Sequence, residues 1–544
     1  MSEEQKGSDA GRASLFSQSR REFLGTMAVA GGAATFGLPR MSRAQPKHGG
    51  TLRFATRVDG AGLDPHRNIV YYVSNPMAAT TQGLLDIDQK MEIVPGVAEE
   101  WDISDDLKTY TFRLRKDVEF HNGRTVDAEA VKWNLERMMD PATSHAFTRA
   151  SLEDVESIEV DDKYTVRVRL LQPSAVFLGN VIYYPVNLIA PDSVDQADTH
   201  PIGCGPFKFV SWKKYAKTEL VRFENYFESD EFGNRLPYLD AIEFFPKRED
   251  QVRLTALRTG EVDLIENMAF SDVTNFKQSY ASEFQTWDVP QVGSGHLNIN
   301  VKSGPFAMDA PDGKLLRQAV AHAIDKEAIH QAVFEGLAYT LKGYYSEASP
   351  WHMPGIRNEK EYDPEKSRSI LRKLNMENLP IAVVSRQAFE YMQNTAELVH
   401  SMLLDAGFKA TNEVFDNPVL RQKYANNDWG IDSTATSYRF EPDGWYSRWI
   451  LSTAAENELR VGYKNEQVDK LIIEARGTRD RNKRLELYTE VESLVNDDAA
   501  LIYTHAVPLT SAGTRRLKGY QPAFAGPYSI AGGGIRTAHF EESA

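Results

Sequence analysis

The sequence predicts a large α/β protein of several domains, and three observations predict it. Its 544 residues correspond to about three to four domains of ordinary size. Up to about residue 200, apolar and polar residues alternate in short runs, the pattern of half-buried strands with one or two helices between them. From about 291 to 505 apolar residues recur at helical spacing instead, with strand-like pieces in between.

Taken in order, residues 1–44 read as an export signal. Ser19-Arg20-Arg21-Glu22-Phe23-Leu24 precedes a Gly/Ala-rich apolar run from Leu24 to Leu38, and Ser42-Arg43-Ala44 offers a small-residue cleavage site. The arginine pair ahead of a weakly apolar run points to the twin-arginine export machinery. The run is shorter than the ~20 residues a transmembrane helix needs. Leu52 and Phe54 begin a strand after Gly49-Gly50, and Leu63-Asp64-Pro65-His66 is a turn. Tyr110, Phe112 and Leu114 alternate with Thr111, Arg113 and Arg115 as a strand, followed by an Asn122-Gly123 turn. Thr125 is the expected cap of a helix whose apolar stripe is Val131, Leu135 and Met138. Tyr164, Val166, Val168 and Leu170 form another strand. Three more follow at Phe207–Val210, Glu219–Arg222 and Ile242–Phe245, and Thr255 to Gly260 reads as a helix end. Leu315 to Glu335 reads as one helix closed by Gly336. Asp363-Pro364 starts the next with Asp as its cap, Ala396–Leu404 is another, Asn465 starts a further one, and Leu485, Tyr488, Val491 and Val495 stripe the last. Leu297–Asn300 and Ile381–Val384 are strands between them. There is no repeat and no long flexible linker, so the domains should be tightly joined, with the chain crossing between them more than once.

Charge and composition exclude several functions. The 62 Lys+Arg against 77 Asp+Glu give a net charge of −15. Removing residues 1–44 takes away six basic and four acidic residues and leaves −17. A nucleic-acid or anionic-membrane binder would need a basic face. The mean hydropathy of −0.45 excludes a polytopic membrane protein. The lone Cys204 excludes an internal disulfide and any Cys-clustered metal site. No nucleophile elbow, phosphate-binding glycine loop or zinc-protease motif is present. His322 and His330 stand too far apart for one metal, and Gly203-Cys204-Gly205-Pro206 reads as a structural turn. No catalytic residue, metal site or cofactor is therefore predicted.

Several segments, in order and over nearly the whole chain after residue 44, resemble one family. Gly49-Gly50-Thr51-Leu52, Leu63-Asp64-Pro65-His66, Gly83-Leu84-Leu85 and Pro95-Gly96-Val97-Ala98-Glu99-Glu100-Trp101 are similar to the extracytoplasmic solute-binding proteins of family 5. So are Tyr110–Arg115, Phe120-His121-Asn122-Gly123, Gly203-Cys204-Gly205-Pro206-Phe207 (Cys standing where threonine is usual), Arg317–Lys326 and Tyr362–Lys366. These are the dipeptide, oligopeptide and nickel binders of ABC importers. The resemblance implies an α/β, two-lobed periplasmic-binding-protein fold (class II, cluster C) with an additional α+β domain inserted in lobe 1. Lobe 1 would take 45–85, 199–290 and 506–544, the insert 86–198, and lobe 2 291–505. It implies a periplasmic, monomeric receptor that closes on a small molecule and delivers it to a permease and ATPase. Readings outside transport are an exported enzyme using the cleft as its active site and a binding or sensor protein.

The resemblance also places the ligand between the lobes. Tyr71 and Tyr72 lie in the segment that passes the cleft, where packing and contact compete as readings. Peptide binders carry an aspartate near the end of the second segment, Trp429–Trp445, that pairs with the ligand's ammonium. Tyr438 or Arg439 stands there instead, which weakens a peptide ligand. An arginine suits a carboxylate or phosphate, with internal pairing to Glu441 or Asp443 as the competing reading. Ser437 stands beside them, and Tyr438, Trp351, Trp429 and Trp445 are candidates for stacking on a sugar or apolar group, each equally readable as core.

Overall fold

A computed structural model describes residues 46–69, 74–182, 184–522 and 534–541. The export signal and the pair Tyr71 and Tyr72 lie outside the described residues. The architecture follows from two long strands, Phe284–Ile299 and Leu501–Thr514, which pair antiparallel along their whole length. Leu501–Thr514 is buried almost throughout and Phe284–Ile299 over its second half, as central strands covered on both faces are. On one side the ten-stranded sheet continues through Leu264–Ile265, Thr51–Thr56, Ala241–Pro246, Lys217–Arg222 and Phe207–Lys213. On the other it continues through Ile431–Ser437, Pro380–Arg386 and Lys409–Phe415. The two halves of this sheet, each packed with its own helices, are the two lobes.

At the middle of the crossing the ladder breaks. Val289 pairs with Leu509 and Gly293 with Val507, so three residues of one strand oppose the single Pro508 of the other. Proline has no N–H for the ladder, and the sequence puts one on each strand here, Pro290 and Pro508.

A separate four-stranded antiparallel sheet has the order Ala98–Ile103, Thr109–Leu114, Thr165–Leu170, Val155–Asp162. Tyr110, Phe112 and Leu114 are all buried, as the alternation requires. The helix Ala128–Met139 covers this sheet with Val131, Leu135 and Met138. Its cap is Asp127, which accepts from the Ala130 N–H at 3.0 Å, rather than Thr125. Thr125 is instead bridged to Glu119. The predicted helix 315–335 is two, Gly313–Ala323 and Lys326–Phe334, because Asp325 caps the second by accepting from the Ala328 N–H at 2.9 Å. Glu335 and Gly336 then close it in the left-handed region. Asp363 caps its helix as predicted, and Asn465 caps the one it starts. Gly203-Cys204-Gly205 is a packed turn. A side chain at Gly203 would meet the Thr80 carbonyl at 2.1 Å, and burial pushes the Cys204 thiol up to about 12. Among the described residues no helix is long and apolar enough to cross a membrane.

Candidate functional site

A cavity of about 520 Å³ opens where the second lobe faces the segment 146–180 that borders the four-stranded sheet. That is within the range of small-molecule sites. A smaller cavity of about 240 Å³ lies beside the crossing, on an apolar floor of Val292, Val507 and Leu509.

The larger cavity owes its shape to a loop held by its backbone. Ile431–Ser437 ends at Tyr438, and Asp443–Trp449 begins the next helix. Three carbonyls at this junction are fixed by buried aromatic donors. Tyr344 Oη donates to Ser437 O at 2.5 Å, Tyr345 Oη to Arg439 O at 3.0 Å, and Trp351 Nε1 to Phe440 O at 2.8 Å. Tyr438 Oη shares a hydrogen bond of 2.7 Å with Ser349 Oγ. A loop satisfied this way keeps its conformation without sheet partners.

Tyr438 and Arg439 both line the cavity. Arg439 extends past Gly444 and sets its guanidinium over the Phe147 ring, 5.0 Å from the centroid, while Arg448 sits 4.3 Å from the same ring. Among the described residues Arg439 makes no ion pair, and its buried Nε has no hydrogen-bond acceptor. The two acids of the competing reading are engaged elsewhere. Glu441 meets Arg484 at 3.2 Å, and Asp443 meets Arg476 at 3.3 Å. Arg476 also reaches Asp154 at 3.7 Å, which ties the second lobe to the segment opposite.

The cavity is tight where its two walls touch. A Cβ at Gly179, in the short helix Phe177–Val181, would lie 2.6 Å from the Glu441 Cβ. Phe440 packs against the cores of both the second lobe and the four-stranded sheet. Burial pushes the Glu441 carboxyl up to about 8, against the opposing pull of Arg484, and its Oε1 has no donor. Burial also raises Glu153, helped by Asp154, and raises Asp154 against the pull of Arg476. His145, which caps the helix Ala146–Ala150, is lowered by burial and then by Arg448, Arg149 and Arg421.

The other predicted site residues are placed differently. Trp445 is fully buried, stacked on Tyr344 at 4.4 Å and donating to Tyr503 Oη at 2.9 Å. Trp429 packs with Val384, Leu420 and Tyr424 at the far end of its strand. Trp351 backs the loop with its ring under Arg481 and Arg484, and Ser437 contributes its carbonyl to Tyr344. None of these four lines the cavity. Phe147, Glu153, Asp154, Arg448 and Arg476 do, and no sequence motif marked them. Among the described residues no group of three or more His, Cys, Asp or Glu could hold a metal.

Residues 92–458 match the sequence profile of the bacterial extracellular solute-binding proteins, family 5 Middle. The chain is similar to the glutathione-binding protein GsiB of Pectobacterium atrosepticum, 27% identical over 464 residues that cover 81% of this chain and 85% of that one. GsiB of Escherichia coli O157:H7 is 26% identical with the same coverage. Among solved structures, DppA of Helicobacter pylori in complex with the peptide STSA has a TM-score of 0.78 at 23% identity, covering 91% of this chain and 99% of that one. AgaA of A. tumefaciens with agropinic acid gives 0.75 at 24% and the same coverage. NikA of Brucella suis with Fe(III)-EDTA gives 0.78 at 20%, covering 90% and 99%. These likenesses show the two-lobed fold.

Proposed function

The chain belongs to the bacterial extracellular solute-binding proteins of family 5, and from that premise we propose that its cavity captures a small organic carboxylate for an ABC importer. The observation that carries the ligand class is Arg439, a guanidinium on the cavity wall with no ion pair among the described residues. Guanidinium is built to grip a carboxylate through two parallel hydrogen bonds. Glutathione, a peptide, agropinic acid and EDTA, named with the relatives and structures above, all carry carboxylates.

The walls come from chain segments far apart in sequence, so a ligand gripped by both binds the closed state better than the open one. That difference is what drives closure. The lobe boundaries that fit this picture are 45–85, 199–290 and 506–544 for lobe 1, 86–198 for the inserted domain and 291–505 for lobe 2. The ladder break at Pro290 and Pro508 is the natural point of flexion. The protein is exported by the twin-arginine route, cleaved near Ala44, works in the periplasm as a monomer, and hands its ligand unchanged to a permease powered by an ATPase. The order Ser19-Arg20-Arg21, apolar run, Ala44 supports the export step.

Calorimetry of the purified chain against glutathione, alanyl-alanine and free dicarboxylates tests the ligand class. A charge-assisted hydrogen-bonded contact contributes about 1.5–3 kcal/mol, so Arg439→Gln should weaken binding roughly 10- to 100-fold. Unchanged affinity refutes the carboxylate reading. So does mass spectrometry of protein taken from its native periplasm, if the compound it carries has no carboxylate.

A further inference from the structure

Phe147 carries two guanidiniums that belong to the other wall. Arg439 and Arg448 of the second lobe stand 5.0 and 4.3 Å from the centroid of its ring, both within cation–π range. Two cations repel, and the electron-rich face of the ring offsets that repulsion. The ring is fixed from its own side. The Phe147 N–H donates to His145 Nδ1 at 3.1 Å. The His66 carbonyl accepts from the His145 N–H at 2.9 Å and from Thr148 Oγ1 at 3.1 Å. His66 is itself buried, with its Nε2 2.8 Å from the Asn187 carbonyl. The turn that ends at His66 therefore sets where the ring stands.

Acids are not scarce in the cavity. Glu153, Asp154, Glu441, Asp443 and Glu456 all line it, and each answers to a cation other than Arg439. Glu441 meets Arg484 at 3.2 Å, and Asp443 and Asp154 share Arg476 at 3.3 and 3.7 Å. Glu456 meets Arg421 at 3.6 Å, and Glu153 lies in the field of Arg476 and Arg448. Arg439 is held by a ring where a carboxylate could have held it. An acid would occupy the N–H donors of the guanidinium, whereas a ring takes up its charge and leaves the donors for a ligand.

We infer that Phe147 is a positioning residue for capture: it holds Arg439, with Arg448 beside it, where the ligand's carboxylate is gripped. This rests on the carboxylate reading above and adds a residue that acts through Arg439 rather than on the ligand. An arginine loose in a cavity gives up rotamer freedom when it binds, and fixing it beforehand removes that cost. The contact also runs between the walls, so it forms only where ring and guanidiniums face one another. It favours the same arrangement that a ligand gripped by both walls favours, and the two reinforce each other.

The test compares the whole chain with Phe147→Leu, with Phe147→Tyr, and with the Phe147 ring replaced by its trifluorinated analogue. That analogue keeps the shape of the ring and strips the negative charge from its face. Calorimetry with glutathione should show affinity lowered about five- to tenfold by leucine and by the fluorinated ring, and kept within about twofold by tyrosine. In an Arg439→Gln background Phe147→Leu should cost no more than about twofold, because the ring acts through that arginine. Without ligand, phenylglyoxal should modify Arg439 about threefold faster or more in the leucine and fluorinated forms, read by peptide mass spectrometry, and at the original rate in the tyrosine form. The fluorinated form should melt at the temperature of the unaltered chain. An affinity and a modification rate unmoved by the fluorinated ring overturn the positioning role and leave the carboxylate reading standing. An equal loss from Phe147→Leu with and without Arg439 overturns it too, since the ring then touches the ligand itself. Arg439→Gln without effect on glutathione overturns the carboxylate reading instead, while the phenylglyoxal rate, which needs no ligand, still decides the positioning.

Discussion

Replacing Gly179 by alanine should weaken ligand binding while leaving the unliganded fold intact. The added Cβ would stand 2.6 Å from the Glu441 Cβ, well inside contact distance. Glu441 cannot easily give way. Its side chain is 11% exposed, its Oε2 is held by Arg484 at 3.2 Å, and its backbone lies in the loop pinned through the Arg439 and Phe440 carbonyls. Overpacking of this kind costs about 1–3 kcal/mol. Gly179 lies in a helix and outside the left-handed region, so alanine itself suits the backbone there. The cost therefore falls on the arrangement in which these two walls touch. A closure penalty of about 1–3 kcal/mol lowers affinity by roughly 5- to 150-fold. The assay is calorimetric titration with whichever carboxylate binds the unaltered chain, paired with a melting curve taken without ligand. The reasoning expects lower affinity at an unchanged melting temperature. Unchanged affinity would show that the walls do not meet here in the bound state. A melting temperature that drops along with affinity would place the contact in the fold rather than in closure.

Two further outcomes follow from the same geometry. Trp445→Ala removes a fully buried ring stacked on Tyr344, so it should cost about 3–5 kcal/mol in chemical denaturation with no loss of cavity contacts. Burial raises Glu441 to about 8 and Glu492 to about 7 from an ordinary value near 4.5, so the folded chain binds protons that the unfolded chain has released. Their contribution is therefore most favourable below about pH 4.5 and is lost as pH rises toward 8, and Glu441→Gln should flatten that slope in urea titrations across the window.

Local chemistry made much of the fold legible. The alternation at Tyr110, Phe112 and Leu114, the caps Asp363 and Asn465 and the left-handed Gly123 all depend on neighbours a few residues away. So does the family likeness, which is carried by short ordered segments. Two errors were local as well. Asp127 outcompeted Thr125 as a cap, and Asp325 divided a helix whose apolar spacing ran straight through it.

The site divides along the same line. Arg439 and Tyr438 could be singled out because they stand where the peptide-binder likeness leads one to look for an acid. Trp429 and Trp445 could not be told from ligand platforms, because a stripe of aromatics reads the same whether it faces a core or a cleft. The structure turns both into the second lobe. Phe147, Glu153 and Asp154 carry no motif, and they stand nearly three hundred residues from Arg439 in sequence. What the sequence determined by itself was the set of elements, the acidic balance and the kind of machine. Only the tertiary structure decided which charges face one another across the cavity, because that depends on two chain segments meeting through folding, and no local pattern records it.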